Sequence, residues 1–353
     1  MHSKTTSHRQ NGFSLVELMV GMTIGLIAAA VIIQVMSFFE SQRRSTTGSA
    51  DAQTNGGIAM YSISREAQMA GFSLLPTTDS PLECTTVSDG GTGITNVSPV
   101  SIADGVAATG VSASDSITIR YGTSQSGGAA TQIDSVAGSV ATVKSSLGCQ
   151  NGDITLITNG PACNVSTATG VTATPITVTL ANAAGATGGA TLACLGAWNE
   201  VTYAVNQTTG NLERTVRLNG VNAAAPSAIV VGVVNLQAQY GISAAANSNQ
   251  IVQWVDATGT WAAPALADRN RIKAIRIAVV ARNATIDTAT VTAACSSTTA
   301  AAPTGLCAWE GNATSPAPAI DLSPWDANWA RYRYRVFETI IPLRNMIWSK
   351  DTL

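Results

Sequence analysis

The pattern of apolar and polar positions changes abruptly twice near the start of the chain. Residues 1–12, MHSKTTSHRQNG, are polar, and residues 13–39, FSLVELMVGMTIGLIAAAVIIQVMSFF, are apolar apart from Glu17, Gln34 and a few Ser and Thr. As a helix the second stretch spans about 40 Å at about 1.5 Å per residue. That exceeds the roughly 30 Å hydrocarbon core of a bilayer, so insertion in a membrane is expected. Residues 40–72 predict a weaker, amphipathic continuation of the helix, in which Met60, Ile63, Ala67 and Ala70 form an apolar stripe. Gly48, Gly56 and Gly57 weaken the pattern over 45–57 and leave a coil there as the alternative. Pro76 and Pro81 mark the end of the helical region.

Residues 73–353 are expected to form a β-rich head, and from about residue 82 the signals are those of strands. Ser116–Tyr121 alternates, and Ile176–Leu180 is apolar and β-branched. Glu200–Val205 and Leu212–Leu218 flank NQTTGN and predict a hairpin. Long strands are expected over 228–240, over 271–282 and over 331–341. In the last, Arg331, Arg333 and Arg335 alternate with Tyr332, Tyr334 and Val336, which on a strand puts the arginines on one face. No helix-length amphipathic pattern recurs between these runs, which argues against a parallel βαβ sheet. The expected fold class is α+β: a long N-terminal helix packed on an antiparallel β-sheet head with large loops.

Composition narrows the function. The chain carries 19 basic and 21 acidic residues, net −2, and loss of Lys4 and Arg9 with a leader would make it more acidic still. A general nucleic-acid binder needs a concentrated basic surface, so no nucleic-acid partner is expected. The only histidines, His2 and His8, lie in the polar leader. The rest of the chain therefore has no Ser-His-Asp or Cys-His catalytic set. No Gly-rich run leads into Gly-Lys-Ser/Thr. No enzyme activity, cofactor or metal site is expected.

Six cysteines, Cys84, Cys149, Cys163, Cys194, Cys295 and Cys307, are widely spaced, with no Cys-x-x-Cys pair. That spacing suits disulfides in an oxidising compartment better than a zinc site. Because short loops close at the smallest entropic cost, the expected pairs are Cys149–Cys163 and Cys295–Cys307, which leaves Cys84–Cys194.

Glu17 is out of place in an apolar helix, where a carboxylate costs on the order of 3 kcal/mol at mid-bilayer and less near an end. Cleavage between Gly12 and Phe13 would make Glu17 the fifth residue of a new chain, one helical turn from a positive α-amino group. A carboxylate there also suits the helix macrodipole. The run Gly12-Phe13-Ser14-Leu15-Val16-Glu17-Leu18 resembles the type IV prepilin signature. The resemblance implies that a prepilin peptidase cuts after Gly12 and methylates Phe13, and that Glu17 pairs with the N-terminus of a neighbouring subunit during assembly. Gly21 and Gly25 form a Gly-xxx-Gly pair, read equally well as a helix contact or as ordinary tolerance of glycine in membranes.

Three segments of the C-terminal third extend the resemblance. Val230–Gly241, Ile275–Arg282 and Tyr334–Trp348 are similar to the PilW family of minor pilins. The family implies a low-abundance subunit that helps initiate or cap a type IV pilus. Its implied partners are other minor pilins, the major pilin, the prepilin peptidase, the inner membrane and a tip adhesin. It also implies a single-pass inner-membrane precursor with a periplasmic head that later joins the pilus at the cell surface. Two alternatives stay open: a type II secretion pseudopilin, and an uncleaved membrane-anchored periplasmic binding protein. Residues 85–199 resemble no family segment.

Overall fold

The computed structural model describes residues 12, 14–74, 84–221 and 224–347. Most of the leader, Phe13, Pro76, Pro81 and Trp348 lie outside the described residues. The chain forms two compact units, Met1–Gly48 and Ser49–Leu353. Helix α1, Leu15–Ala67, contributes to both and is unbroken through 45–57.

In the first unit the described residues from Ser14 to Glu40 are all exposed. Leu15–Glu40, 26 residues, is long and apolar enough to cross a membrane.

In the second unit the strands are, in order, β1 Thr86–Ser88, β2 Val100–Ala103, β3 Ser116–Tyr121, β4 Ala130–Ala137, β5 Val140–Val143 and β6 Ile154–Asn159. There follow β7 Ala162–Ala173, β8 Ile176–Leu180, β9 Thr191–Gly196, β10 Asn199–Asn206 and β11 Asn211–Leu218. The last are β12 Ser227–Val231, β13 Val233–Ser243, β14 Ile251–Val255, β15 Ile272–Arg282 and β16 Tyr334–Pro342. Short helices α2, Leu266–Arg269, and α3, Arg344–Ile347, flank β15 and β16. The fold is α+β, and among the described residues its ladders are antiparallel except for the parallel β1–β7 pair.

Two sheets and one helix segment make the body of this unit. A five-stranded sheet runs β12-β11-β10-β3-β2, and a four-stranded sheet runs β14-β13-β15-β16. Residues 52–70 of the chain pack on both through one narrow stripe, with Ala52, Gly56, Ala59, Ile63, Ala67 and Ala70 buried. The steps of three and four residues are those of one helix face. Its partners include Ile117, Ile119, Val201, Tyr203, Leu236, Ile275 and Ile277. The small residues let the helix backbone approach closely. A Cβ on Gly56 would run into the ring of Phe337 on β16, so the glycine that weakened the sequence pattern is required by the packing.

The opposite face of the four-stranded sheet is covered by the long connection 283–333. Leu306, Ala308, Trp309, Ile320 and Leu322 pack there on Val234, Ala278 and Val280.

The expected long strand over 228–240 is two strands. Gly232, at φ +74°, breaks it. β12 pairs with β11, and β13 pairs with β14 and β15. An unbroken apolar run carries no mark of such a break except the glycine, which hands the chain from one sheet to the other.

The third sheet, β1-β7-β6-β9-β4-β5-β8, has an additional β7–β8 pairing. That pairing closes β7, β6, β9, β4, β5 and β8 into a ring, with β1 attached outside. The first half of β7 bonds to β6 and the second half to β8, across a register shift between Ala168 and Gly170. Ile133, Val143, Ile157, Val178, Leu180 and Leu192 fill one core of this barrel. Ile154, Leu156, Val165 and Leu195 look the other way and pack with Leu74, Ile94, Val97 and Trp198. The stretch 85–199, which resembles no family segment, thus contains a folded module.

Candidate assembly surfaces

In the first unit Glu17 lies in the first turn of α1, where its N–H donates to Ser14 O at 3.0 Å. The carboxylate stands exposed among exposed Leu15, Val16, Leu18 and Met19. Gly12 is exposed as well. An apolar surface of this extent needs a lipid or protein cover.

In the second unit the helix is fixed to the head by a cluster centred on Glu66. Arg214 on β11 donates from Nη2 to Oε1 at 2.8 Å and from Nε to Oε2 at 3.1 Å. Tyr121 on β3 donates to Oε1 at 2.8 Å, and Tyr203 on β10 to Oε2 at 2.9 Å. Burial pushes the Glu66 carboxyl up, and the bonds from Arg214, Tyr121 and Tyr203 outweigh it and hold it below its ordinary value. Burial, followed by the bond to Glu66, pushes the Tyr121 hydroxyl up to about 12. Such a set of charge-assisted bonds ties one helix to three neighbouring strands at a fixed height. A groove of about 640 Å³ opens beside it, lined by Tyr61, Arg65, Met69, Tyr203 and Ile229 among others.

A second polar junction joins the two sheets of the body. Asp115 accepts Gly105 N–H at 3.0 Å and Ala238 N–H, on β13, at 2.7 Å. Burial is the main reason its carboxyl is raised to about 7, with Asp104 and Asp256 adding to the shift against the two backbone donors.

All six cysteines are paired: Cys84–Cys163, Cys149–Cys194 and Cys295–Cys307. The expected Cys149–Cys163 and Cys84–Cys194 are therefore exchanged. The β6–β9 ladder sets Cys194 opposite Thr155, just after the 144–153 loop that carries Cys149, and so brings Cys194 to Cys149. The parallel β1–β7 ladder brings Cys84 to Cys163. Loop length alone could not anticipate either contact.

The arginine series is also corrected. Arg331 lies in a 3-10 turn, Trp329–Arg331, and Arg333 precedes β16. Both turn to Asp287: Arg331 Nε donates to its backbone O at 2.9 Å and Arg333 Nε to Oδ2 at 3.0 Å. Arg335 alone of the three is on the strand, and it is exposed. Among the described residues no group of His, Cys, Asp and Glu is arranged to hold a metal ion.

Residues 202–345 match the family model for the type IV pilus-assembly protein W, and residues 7–33 match the prokaryotic N-terminal methylation motif. The chain is type IV pilin-like, with a PilW-type region in its C-terminal part and an N-terminal methylation motif. No curated protein matches it. Among solved structures, a type IV-like pilin from Thermus thermophilus is similar at 12% identity, over 70% of this chain and 84% of that one, with a TM-score of 0.30. A TM-score that low leaves the fold of this pilin-like chain resting on its own topology.

The PilW match begins in β10 and ends in α3. It takes in the four-stranded sheet, β11, β12 and the 283–333 connection, and leaves the barrel outside. Sequence reasoning missed Glu66, Tyr121, Tyr203 and Arg214. The available signal was a lone carboxylate beside Ile63 and Ala67 on the stripe that packs inward.

Proposed function

We propose that this pilin-like protein is a minor pilin of a type IV pilus. It is made with the leader 1–12, cut after Gly12 and N-methylated at Phe13, and it joins a filament through its N-terminal helix. The observation that carries this reading is the pairing of a methylation motif at 7–33 with a PilW region at 202–345 in one chain. Before assembly the helix sits in the inner membrane with the head in the periplasm. The neighbours are other pilins, and the leader is the substrate of the prepilin peptidase.

Glu17 supplies the assembly contact. In a bilayer its carboxylate has no partner beyond its own chain. In a bundle of such helices the α-amino group of a neighbouring Phe13 neutralises it at low dielectric. Removal of one member of a buried pair costs about 3–5 kcal/mol, because the other charge is stranded.

Mass spectrometry of the membrane-extracted protein tests the reading, with a methylated N-terminal Phe13 expected. Glu17→Ala is expected to be inserted and cut normally but to be depleted from sheared filaments. An intact 1–12 segment in cells with active peptidase would sink the proposal. A pseudopilin shares the leader and helix, and the PilW match favours the pilus. The chain's presence in sheared pili separates the two.

A further inference from the structure

The four-stranded sheet ends on β16, and no described strand pairs with its outer side. The register shows which backbone groups face outward. Asn283 N–H bonds Arg333 O and Leu343 N–H bonds Lys273 O, each at 2.9 Å, and both lie in the same register as the β15–β16 ladder. Bonded and non-bonded pairs alternate along an antiparallel ladder. Arg335, Phe337, Thr339 and Ile341 therefore turn their backbone groups to β15. Tyr334, Val336, Glu338 and Ile340 turn theirs outward. Among the described residues none of these four makes a backbone hydrogen bond beyond the ladder.

The other edges of the body are shorter or engaged. β14 has 5 residues, and Ser315 Oγ accepts its Trp254 N–H at 3.0 Å. β2 has 4 residues, and its Ile102 N–H is held by Tyr240 at 2.6 Å. β12 has 5 residues. β16 has 9 residues, no register shift against β15, and a proline only at its end. Folded proteins normally blunt such an edge with bulges, prolines or charge. Here Glu338 is drawn back onto the sheet by Arg276 at 3.1 Å. Ile340 is 49% exposed. Arg335 is exposed and has no ion pair among the described residues, whereas Arg333 has Asp287.

We infer that β16 is a docking edge that receives an extended strand from a neighbouring subunit of a different pilin, with an acidic side chain beside Arg335 and an apolar one beside Ile340. The inference rests on the filament reading above. Main-chain bonds to the outward groups provide the attachment, and the two side chains select the partner.

Hydrogen exchange of the full-length wild-type protein tests it, in sheared filaments and in detergent-solubilised monomer. The amides of Val336, Glu338 and Ile340 are expected to slow by about ten-fold or more in filaments, as newly bonded strand amides do. Phe337 and Thr339 are expected to be protected in both states. A photo-cross-linker at position 340 is expected to join an extended segment of a different pilin. Ile340→Pro removes an outward N–H that the sheet itself does not use. It and Arg335→Glu are expected to abolish the cross-link or cut it several-fold, with Arg335→Lys retaining it. Absence of the wild-type chain from sheared filaments would overturn the filament reading. Presence in filaments with fast exchange at 336, 338 and 340, or a cross-link only to a second copy of this chain, would overturn the docking edge alone.

Discussion

The head contains two regions built on different terms. The body, made by residues 52–70 and the five- and four-stranded sheets, is cemented by large apolar side chains such as Ile117, Ile119, Tyr203, Leu236, Tyr240 and Ile275. The barrel draws on many small ones, with Ala141, Ala168, Ala186 and Ala190 in its core. A core with a larger share of alanines removes less apolar surface from water, and hydrophobic stabilisation scales with that area. The barrel also holds four of the six cysteines in or beside its strands, while the third disulfide lies in the 283–333 connection. Cross-links in the barrel stand in for the apolar area that the body has.

Loss of the barrel disulfides is the strongest way to break this contrast. The bridged residues are 79 and 45 apart in sequence. On a chain-entropy estimate each bridge contributes about 4 kcal/mol. Cys84→Ala/Cys163→Ala and Cys149→Ala/Cys194→Ala are each expected to expose residues 84–198 to protease while the body stays resistant. Simultaneous cleavage of both regions would show that they unfold as one.

Next in size is Glu66→Ala. It strands Arg214 and unties the helix from β3, β10 and β11, at a cost of about 3 kcal/mol. Tyr203→Phe removes one bond and costs about 1 kcal/mol. Denaturant midpoints of the full chain measure both, with the loss falling on the body. The pH dependence has a definite sign. Glu66 is held below its ordinary 4.5, so its contribution is present above that value and is lost as the pH falls through the depressed one.

Much of this was legible beforehand, in segments where pattern and structure obey the same rule. Ser116–Tyr121 and Ile176–Leu180 alternate, or are β-branched throughout, and they form β3 and β8 with those bounds. The 206–211 hairpin follows from its turn residues. What failed depends on contacts distant in sequence. β4 and β9, ATQIDSVA and TLACLG, alternate poorly, so the sheet they join was invisible, and the cysteine pairing set by the β6–β9 and β1–β7 ladders was lost too. The Gly56 and Gly57 pair looked like a helix breaker because nothing local announces Phe337.

That pair gives the third prediction. Gly56→Ala is expected to overpack the contact with Phe337 and cost about 1–3 kcal/mol. A Cβ on Gly57 meets nothing within 4 Å. Gly57→Ala is therefore expected to stabilise the helix by up to about 1 kcal/mol. Thermal unfolding of the two single variants decides whether adjacent glycines carry opposite signs.

The smallest expected effect is at Asp115, where the two sheets meet. Its carboxyl is raised from an ordinary 3.8 to about 7. Its contribution to stability is therefore complete below the first value and is lost as the pH rises through the second. Asp115→Asn is expected to change stability at neutral pH by about 1 kcal/mol or less, because a buried charge and one hydrogen bond leave together. Its stability curve should be flatter across that interval, and unfolding midpoints at several pH values measure the slope.

The stripe that seats residues 52–70 has a mechanical consequence. Tension along the helix axis loads Ala52, Ala59, Ile63 and Ala67 in shear, all at once, instead of peeling them apart singly. Alanines make a smooth track that resists sliding weakly. The notch of Gly56 against Phe337 and the Glu66 cluster are the two stops on that track. Traction on the helix is therefore borne at two points about 15 Å apart, by the helical rise, and passed at one to β16 and at the other to β3, β10 and β11.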